Sequence, residues 1–130
     1  MSTIFSKIVR REISAYIIAE DDKHIAFLDA FPLVKGHTLV IPKKEYDYIF
    51  DIESKDYINL WEFAKNVERK MNISIECKRI AIVVIGLEVP HTHIHLIPVN
   101  SVTDINFQKE KLKFTHDEFV EIASQIKSAI

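Results

Sequence analysis

Pro90-His91-Thr92-His93-Ile94-His95-Leu96-Ile97-Pro98 is the stretch on which the reading of this chain turns. Its histidines alternate with Thr92, Ile94 and Leu96, all apolar or β-branched. A period of two is that of a pleated strand, in which alternate side chains face the same way. The pattern therefore predicts a strand with its imidazoles in one row, neighbours roughly 6.5 Å apart, and the other set turned into the core. Pro90 and Pro98 are expected to bracket it, because proline has no N–H for a ladder. A row of rings that titrate near neutrality can offer a neutral nucleophile or base beside a group that holds an anion. That suits displacement at phosphorus. Imidazoles are also common transition-metal ligands, so a histidine metal-binding protein is a rival reading of the nonapeptide alone.

Outward from this stretch the chain reads as α+β. Upstream, residues 79 to 85 form a near-continuous apolar run, expected to be a strand buried on both faces and ended by Gly86. Before it, Ser54 is expected to cap a helix running to about Asn72, with Ile58, Trp61, Ala64, Val67 and Met71 as its apolar stripe. Residues 45 to 53 connect, with room for a helical turn. His37 to Ile41 reads as a strand stopped by Pro42, after a loop ending at Gly36. Residues 13 to 20 and 24 to 29 read as a hairpin turning at Glu20-Asp21-Asp22-Lys23, and Phe27 and Asp29 share a face of its second arm. Residues 2 to 12 have the spacing of a short amphipathic helix. Downstream, residues 99 to 114 read as a long loop, of a length that often covers a site. Thr115 and Glu118 then have capping-box spacing and open a helix with Phe119, Ile122, Ala123 and Ile126 on one face. Everything after the triad reads as scaffold.

Composition sets outer bounds. At 130 residues the chain is expected to be one domain, 1–130, that buries about two-thirds of its unfolded surface. A net charge of -2 and a pI near 6.3 argue against a nucleic-acid binder, which would carry a basic face. A single cysteine, Cys77, leaves no intrachain disulfide and fits a reducing compartment. With no signal-peptide pattern and no membrane-length apolar run, the expectation is a cytoplasmic protein with no membrane partner.

His91 to Ile97 resembles the signature of the histidine-triad (HIT) nucleotide-binding family, His-φ-His-φ-His-φ-φ with φ apolar; Thr92 is a mild departure. Ala26-Phe27-Leu28-Asp29-Ala30-Phe31-Pro32, Val34 to Lys44 and the opening Ile4-Phe5-Ser6-Lys7-Ile8-Val9 are similar to that family's other blocks, in the same order. The resemblance implies a HIT-like fold: a mainly antiparallel sheet with one long helix packed on it and a C-terminal helix. It also implies a homodimer formed through that helix and a central strand. The expected ligand is a purine nucleotide or nucleotide conjugate (phosphoramidate, adenylate or dinucleoside polyphosphate) cleaved at its α-phosphate. His93 would attack phosphorus to give a nucleotidyl-histidine, its second nitrogen donating to a backbone carbonyl near His91. His95 would contact the phosphate and leaving atom, with His91 and His37 in support. Ile4, Phe5 and Ile8 would line a base slot, Phe27 would pack on the base, and Asp29, beside Ala30, would hold the ribose hydroxyls. Gly86 would let the backbone approach phosphate.

No cofactor is implied. The Cys-x-x-Cys zinc pair of some relatives is replaced by Ser6 and Val9, so no metal site is expected. The chain departs from the common Gly-Gln-Ser/Thr-Val at Leu87 and Glu88, where an ionised carboxylate cannot donate to phosphate. Either Glu88 turns away, or its pKa is raised, or it delivers a proton to the leaving group. A nucleotide sensor or interaction scaffold with little turnover is therefore the alternative function.

Overall fold

The computed structural model describes residues 2–129. Its elements run α1 (Ile4–Val9), β1 (Ile17–Glu20), β2 (His24–Leu28), β3 (Thr38–Pro42), a 3-10 turn (Ile49–Asp51), α2 (Ser54–Ser74), β4 (Arg79–Val83), β5 (Ile94–Val99), a second 3-10 turn (Val102–Asp104) and α3 (His116–Lys127). The strands form one sheet in the order β1-β2-β3-β5-β4, antiparallel at every pairing. The first hairpin closes as its polar turn predicts: Asp21 Oδ1 accepts the N–H groups of Lys23 and His24 at 2.9 and 2.7 Å.

Strand alternation divides the core in two. Ala26, Leu28, Val40, Ile94 and Leu96 face α2 and α3 in the main cluster. Ile25, Phe27, Leu39 and Ile41 face the other way, where α1 covers them with Phe5 and Ile8. His95 lies opposite Leu39 in the register, so it belongs to the α1 side. One side of the sheet is scaffold, and the other carries the imidazoles.

Several expectations change. β5 begins only at Ile94, and Pro98 lies inside it, paired with Ile80. This is tolerated because the pairing of β3 with β5 ends at Leu96, which leaves no neighbour on that side to miss the proline N–H. β4 is an edge strand, with Ile82 56% exposed, and is not buried on both faces. An apolar run in sequence cannot tell a central strand from an unpaired one. Glu53 occupies the N-cap position of α2 without a side-chain cap hydrogen bond, and Ser54 is already helical. The buried stripe of α2 is Leu60, Ala64, Val67 and Met71; Ile58, two residues from Leu60, lies across the helix and is exposed. The C-terminal helix forms as read, with the Thr115–Glu118 capping box closed and Phe119, Ile122, Ala123 and Ile126 buried. Gly36 has φ +88°, and a Cβ there would lie 3.3 Å from Ile75 Cγ1. Both the backbone and the packing therefore favour glycine. No helix among the described residues is long and apolar enough to cross a membrane.

Candidate active site

His91 and His93 precede the first residue of β5 and are held by loop contacts in place of a sheet ladder. The Thr92 N–H donates to Tyr46 O at 2.6 Å and its hydroxyl to Asp47 O at 3.2 Å, while the His91 N–H reaches Val89 O at 2.8 Å. The rings nonetheless line up on the α1 side, with His93 and His95 centroids 5.0 Å apart. Phe5 closes on the row from α1, 4.9 Å from the His93 ring and 6.0 Å from His91.

The backbone fixes the tautomer of each imidazole. A carbonyl can only accept, so His93 Nδ1, 2.8 Å from His91 O, carries a proton. In the neutral ring the Nε2 lone pair is left free. This is the backbone acceptor expected for a nucleophilic histidine. His91 Nε2 likewise donates to Pro42 O at 2.8 Å, and burial, opposed by that carbonyl, lowers the His91 pKa. Its Nδ1 is therefore an acceptor, filled by the Thr3 hydroxyl at 2.9 Å. An N–H can only donate, so the Leu33 N–H, 3.0 Å from His37 Nδ1, puts the His37 proton on Nε2. That proton points to His95 Nδ1 at 2.9 Å, and the His95 proton must then be on Nε2. Burial, with lesser effects from His95 and Lys111, pushes His37 down to about 3; burial and then His93 push His95 down to about 4. At neutral pH both rings are uncharged.

Asp29 follows β2 and is mostly buried. Its Oδ1 accepts the Phe31 N–H at 2.8 Å, the ordinary task of a turn aspartate, while Oδ2 lies 3.5 Å from His37 Nε2. Burial raises its pKa, against the Phe31 N–H and the charges of His93 and Lys111. The sequence-predicted His37, His91, His93, His95 and Asp29 are thus neighbours. Of the predicted base slot, Phe5, Ile8 and Phe27 share one apolar cluster, with Phe27 2% exposed behind Phe5, whereas Ile4 is 51% exposed. Ala30 is exposed beside Asp29. Gly86, at φ +76°, has open space around it. Glu88 is exposed and, among the described residues, makes no hydrogen bond or ion pair.

Three residues escaped the sequence reading. Thr3 caps α1 through the Ser6 N–H and fills His91 Nδ1; its own N–H reaches Ser6 Oγ and Glu45 Oε1. The Phe107 ring lies roughly perpendicular to those of His95 and His37, centroids 5.1 and 6.4 Å apart, and the Lys111 ammonium, near Asp29, is tied to the Phe107 and Lys109 carbonyls. The loop after the triad therefore lies against the site, in keeping with its length, and only the broader reading of everything after the triad as scaffold is corrected. A threonine cap before an amphipathic helix was a visible signal for Thr3. The loop has no periodic pattern, and nothing in the sequence marks Phe107 or Lys111.

The ligand atoms of Asp29, His37 and His95 lie within 4.8 Å of one another. They do not suit a cation as arranged. His37 Nε2 carries its proton because Leu33 occupies Nδ1, and a protonated nitrogen is no ligand. Two cavities, of about 490 and 470 Å³, open elsewhere, one beside Cys77 and Pro98 and one between Trp61 and Ile82; neither is lined by a triad histidine.

The HIT domain family matches residues 10–102. The chain belongs to the HIT family. A HIT-like protein of Borreliella burgdorferi is 33% identical over 135 residues, spanning 98% of this chain and 97% of that protein. A hypothetical histidine triad nucleotide-binding protein of Sulfolobus tokodaii superposes with a TM-score of 0.85 at 25% identity, over 96% of this chain and 89% of that one. A HIT family hydrolase of Legionella pneumophila superposes with a TM-score of 0.65 at 32% identity, over 74% and 91%. The five-stranded antiparallel sheet with its helices is the histidine-triad nucleotide-binding fold of these HIT proteins.

Proposed function

We propose that this HIT protein is a hydrolase or nucleotidyl transferase acting at the α-phosphate of purine nucleotide conjugates, through a nucleotidyl group on His93. The observation that carries the reading is the His93 Nδ1–His91 O bond, which aims an unprotonated Nε2 away from the backbone. That lone pair forms the N–P bond as the bond from phosphorus to the leaving group breaks. Water then forms an O–P bond, the electron pair of the N–P bond returns to Nε2, one water proton goes to solvent, and the nucleoside monophosphate leaves. Splitting one displacement into two is the usual gain of a covalent intermediate. His95 Nε2–H donates to a phosphoryl oxygen, and His37 and His91 hold the reacting rings. Asp29 Oδ2, with Ala30 alongside, takes the ribose hydroxyls, and Ile4 with the exposed margin of Phe5 offers apolar surface for the base, while Ile8 and Phe27, 6% and 2% exposed, back it from the core and do not pack on the base. Gly86, free of a side chain, lets phosphate meet the backbone, and Glu88 plays no part in proton transfer.

The working unit is a cytoplasmic homodimer of single-domain chains. Supporting the dimer are the unpaired edge of β4 with Ile82 and Ile85 exposed, and the adjoining Trp61 of α2, whose buried Nε1–H has no partner among the described residues.

Alkaline quench, which preserves an acid-labile bond between phosphorus and histidine nitrogen, followed by mass spectrometry of protein mixed with adenosine phosphoramidate, an acyl adenylate and a diadenosine polyphosphate, tests the reaction. The expected result is an adenylyl adduct on His93, lost in His93→Ala while AMP still binds. Tight AMP binding with neither adduct nor turnover on any conjugate would instead identify a sensor.

A further inference from the structure

α1 is six residues long, and a helix of less than two turns is not stable alone. Its place is set by what it touches. Phe5 and Ile8 hold its apolar side against the sheet, and the Phe5 ring stands 4.9 Å from that of His93. The start of the helix is held by polar groups instead. Thr3 and Ser6 close a capping box, and the Thr3 N–H reaches Ser6 Oγ at 2.8 Å and Glu45 Oε1 at 3.3 Å. Ser6 is buried, and its hydroxyl donates to Thr3 O at 3.0 Å. The Thr3 hydroxyl then donates to His91 Nδ1 at 2.9 Å.

Glu45 stands three residues beyond Pro42, whose carbonyl accepts from His91 Nε2 at 2.8 Å. One imidazole is thus gripped at both nitrogens, by the end of β3 on one side and by the start of α1 on the other. Glu45 ties those two supports to each other. The contacts form a closed circuit, from Pro42 O through the His91 ring to Thr3, on to Glu45, and along the chain back to Pro42. What the circuit holds still is the main chain of His91, whose carbonyl takes the His93 Nδ1 proton at 2.8 Å.

We propose that Glu45 is a positioning residue: it seats the Thr3 cap of α1 against His91, so that the His91 carbonyl keeps His93 in its reactive tautomer and aim. The inference rests on the reading of His93 as nucleophile. Glu45 is an exposed side chain on a connecting segment and touches no reacting ring, so its effect on the reaction passes through Thr3 and His91. A carboxylate beside a helix start is also an ordinary electrostatic stabiliser of that helix. The two roles separate in Glu45→Gln, because the amide loses the charge and keeps an acceptor oxygen for the Thr3 N–H.

The test is the single-turnover rate of His93 adenylylation, read after alkaline quench, with AMP affinity measured separately by calorimetry. Glu45→Ala should slow adenylylation about three- to tenfold, a loss of aim, and leave AMP affinity within about twofold of the wild type. Glu45→Gln should restore most of the rate. In Thr3→Val, which lacks the hydroxyl that reaches His91, Glu45→Ala should slow the reaction no further, because both changes act through one contact. An unchanged rate in Glu45→Ala, an effect that adds in full to that of Thr3→Val, or a Glu45→Gln protein as slow as Glu45→Ala overturns the inference. Should no conjugate label His93 in the wild type, the proposed function fails instead, and nitrogen-15 NMR of the His91 ring decides the inference alone. An Nδ1 signal that moves downfield in Glu45→Ala, as its hydrogen bond from Thr3 weakens, and returns in Glu45→Gln supports it. The same His91 signals in all three proteins overturn it.

Discussion

Acidification from pH 7 to pH 5 should weaken this fold well before its carboxylates titrate. His37 and His95 are held near 3 and 4, against an ordinary value of 6.5. Between those values and 6.5 the unfolded chain binds protons that the folded chain refuses, so stability falls as pH falls through that window. pH 5 lies about 1.5 units below the unfolded value of 6.5 and still above both folded values, which at 1.36 kcal/mol per unit is about 2 kcal/mol per ring and about 4 for the pair. His91, also lowered by burial, adds in the same direction. Asp29, whose value is raised, acts with opposite sign and gains stability below its own range. Urea unfolding at pH 7, 6 and 5, at one protein concentration because any self-association would be linked to stability, measures the loss. The double variant His37→Asn/His95→Asn should flatten the dependence by about 4 kcal/mol. An unfolding free energy that changes by less than about 1 kcal/mol over this range would refute the burial argument, as would His95 ring signals that titrate near 6.5.

Thr3→Val removes both the cap of α1 and the donor to His91 Nδ1, Thr3→Asp keeps only the cap, and Thr3→Ser keeps both. If the hydroxyl orients His91, Thr3→Asp should slow His93 adenylylation several-fold and alter the His91 tautomer by NMR, whereas Thr3→Val should also lose about 1 kcal/mol of stability. Gly36→Ala should cost about 1–2 kcal/mol from the left-handed backbone, with more from the crowded Ile75. Gly86→Ala, in open space, should cost less in the same urea titration. Phe107→Ala admits water to His37 and His95, so NMR titration should find both imidazoles shifted back up toward 6.5.

The alternation around His93 was enough to place the imidazoles on one side of a sheet, and the nearby blocks placed Asp29 and His37 with them. The strand boundary was not legible, because Thr92 is held by Tyr46, whose carbonyl accepts its N–H, and by Asp47, whose carbonyl accepts its hydroxyl, partners far away in sequence. On α2, the spacing of Ile58 and Trp61 competed with that of Leu60 and Ala64; both are helical, and only packing against the sheet selects the second. β4 was misread for a related reason. Apolar residues of an edge strand look the same in sequence as those of a strand between two others. Phe107 illustrates a harder limit, since a loop residue reaches His95 through chain path alone, with no period to betray it.

The Leu33 amide has a consequence for how this site tolerates change. Because the first donor in the Leu33–His37–His95 relay is main chain, the identity of the side chain at position 33 is chemically indifferent so long as it fills the interior. Loop length is not. Adding or deleting one residue between Pro32 and Gly36 would slide a different amide, or none, under His37, and the proton order of two rings would be rewritten without altering either of them.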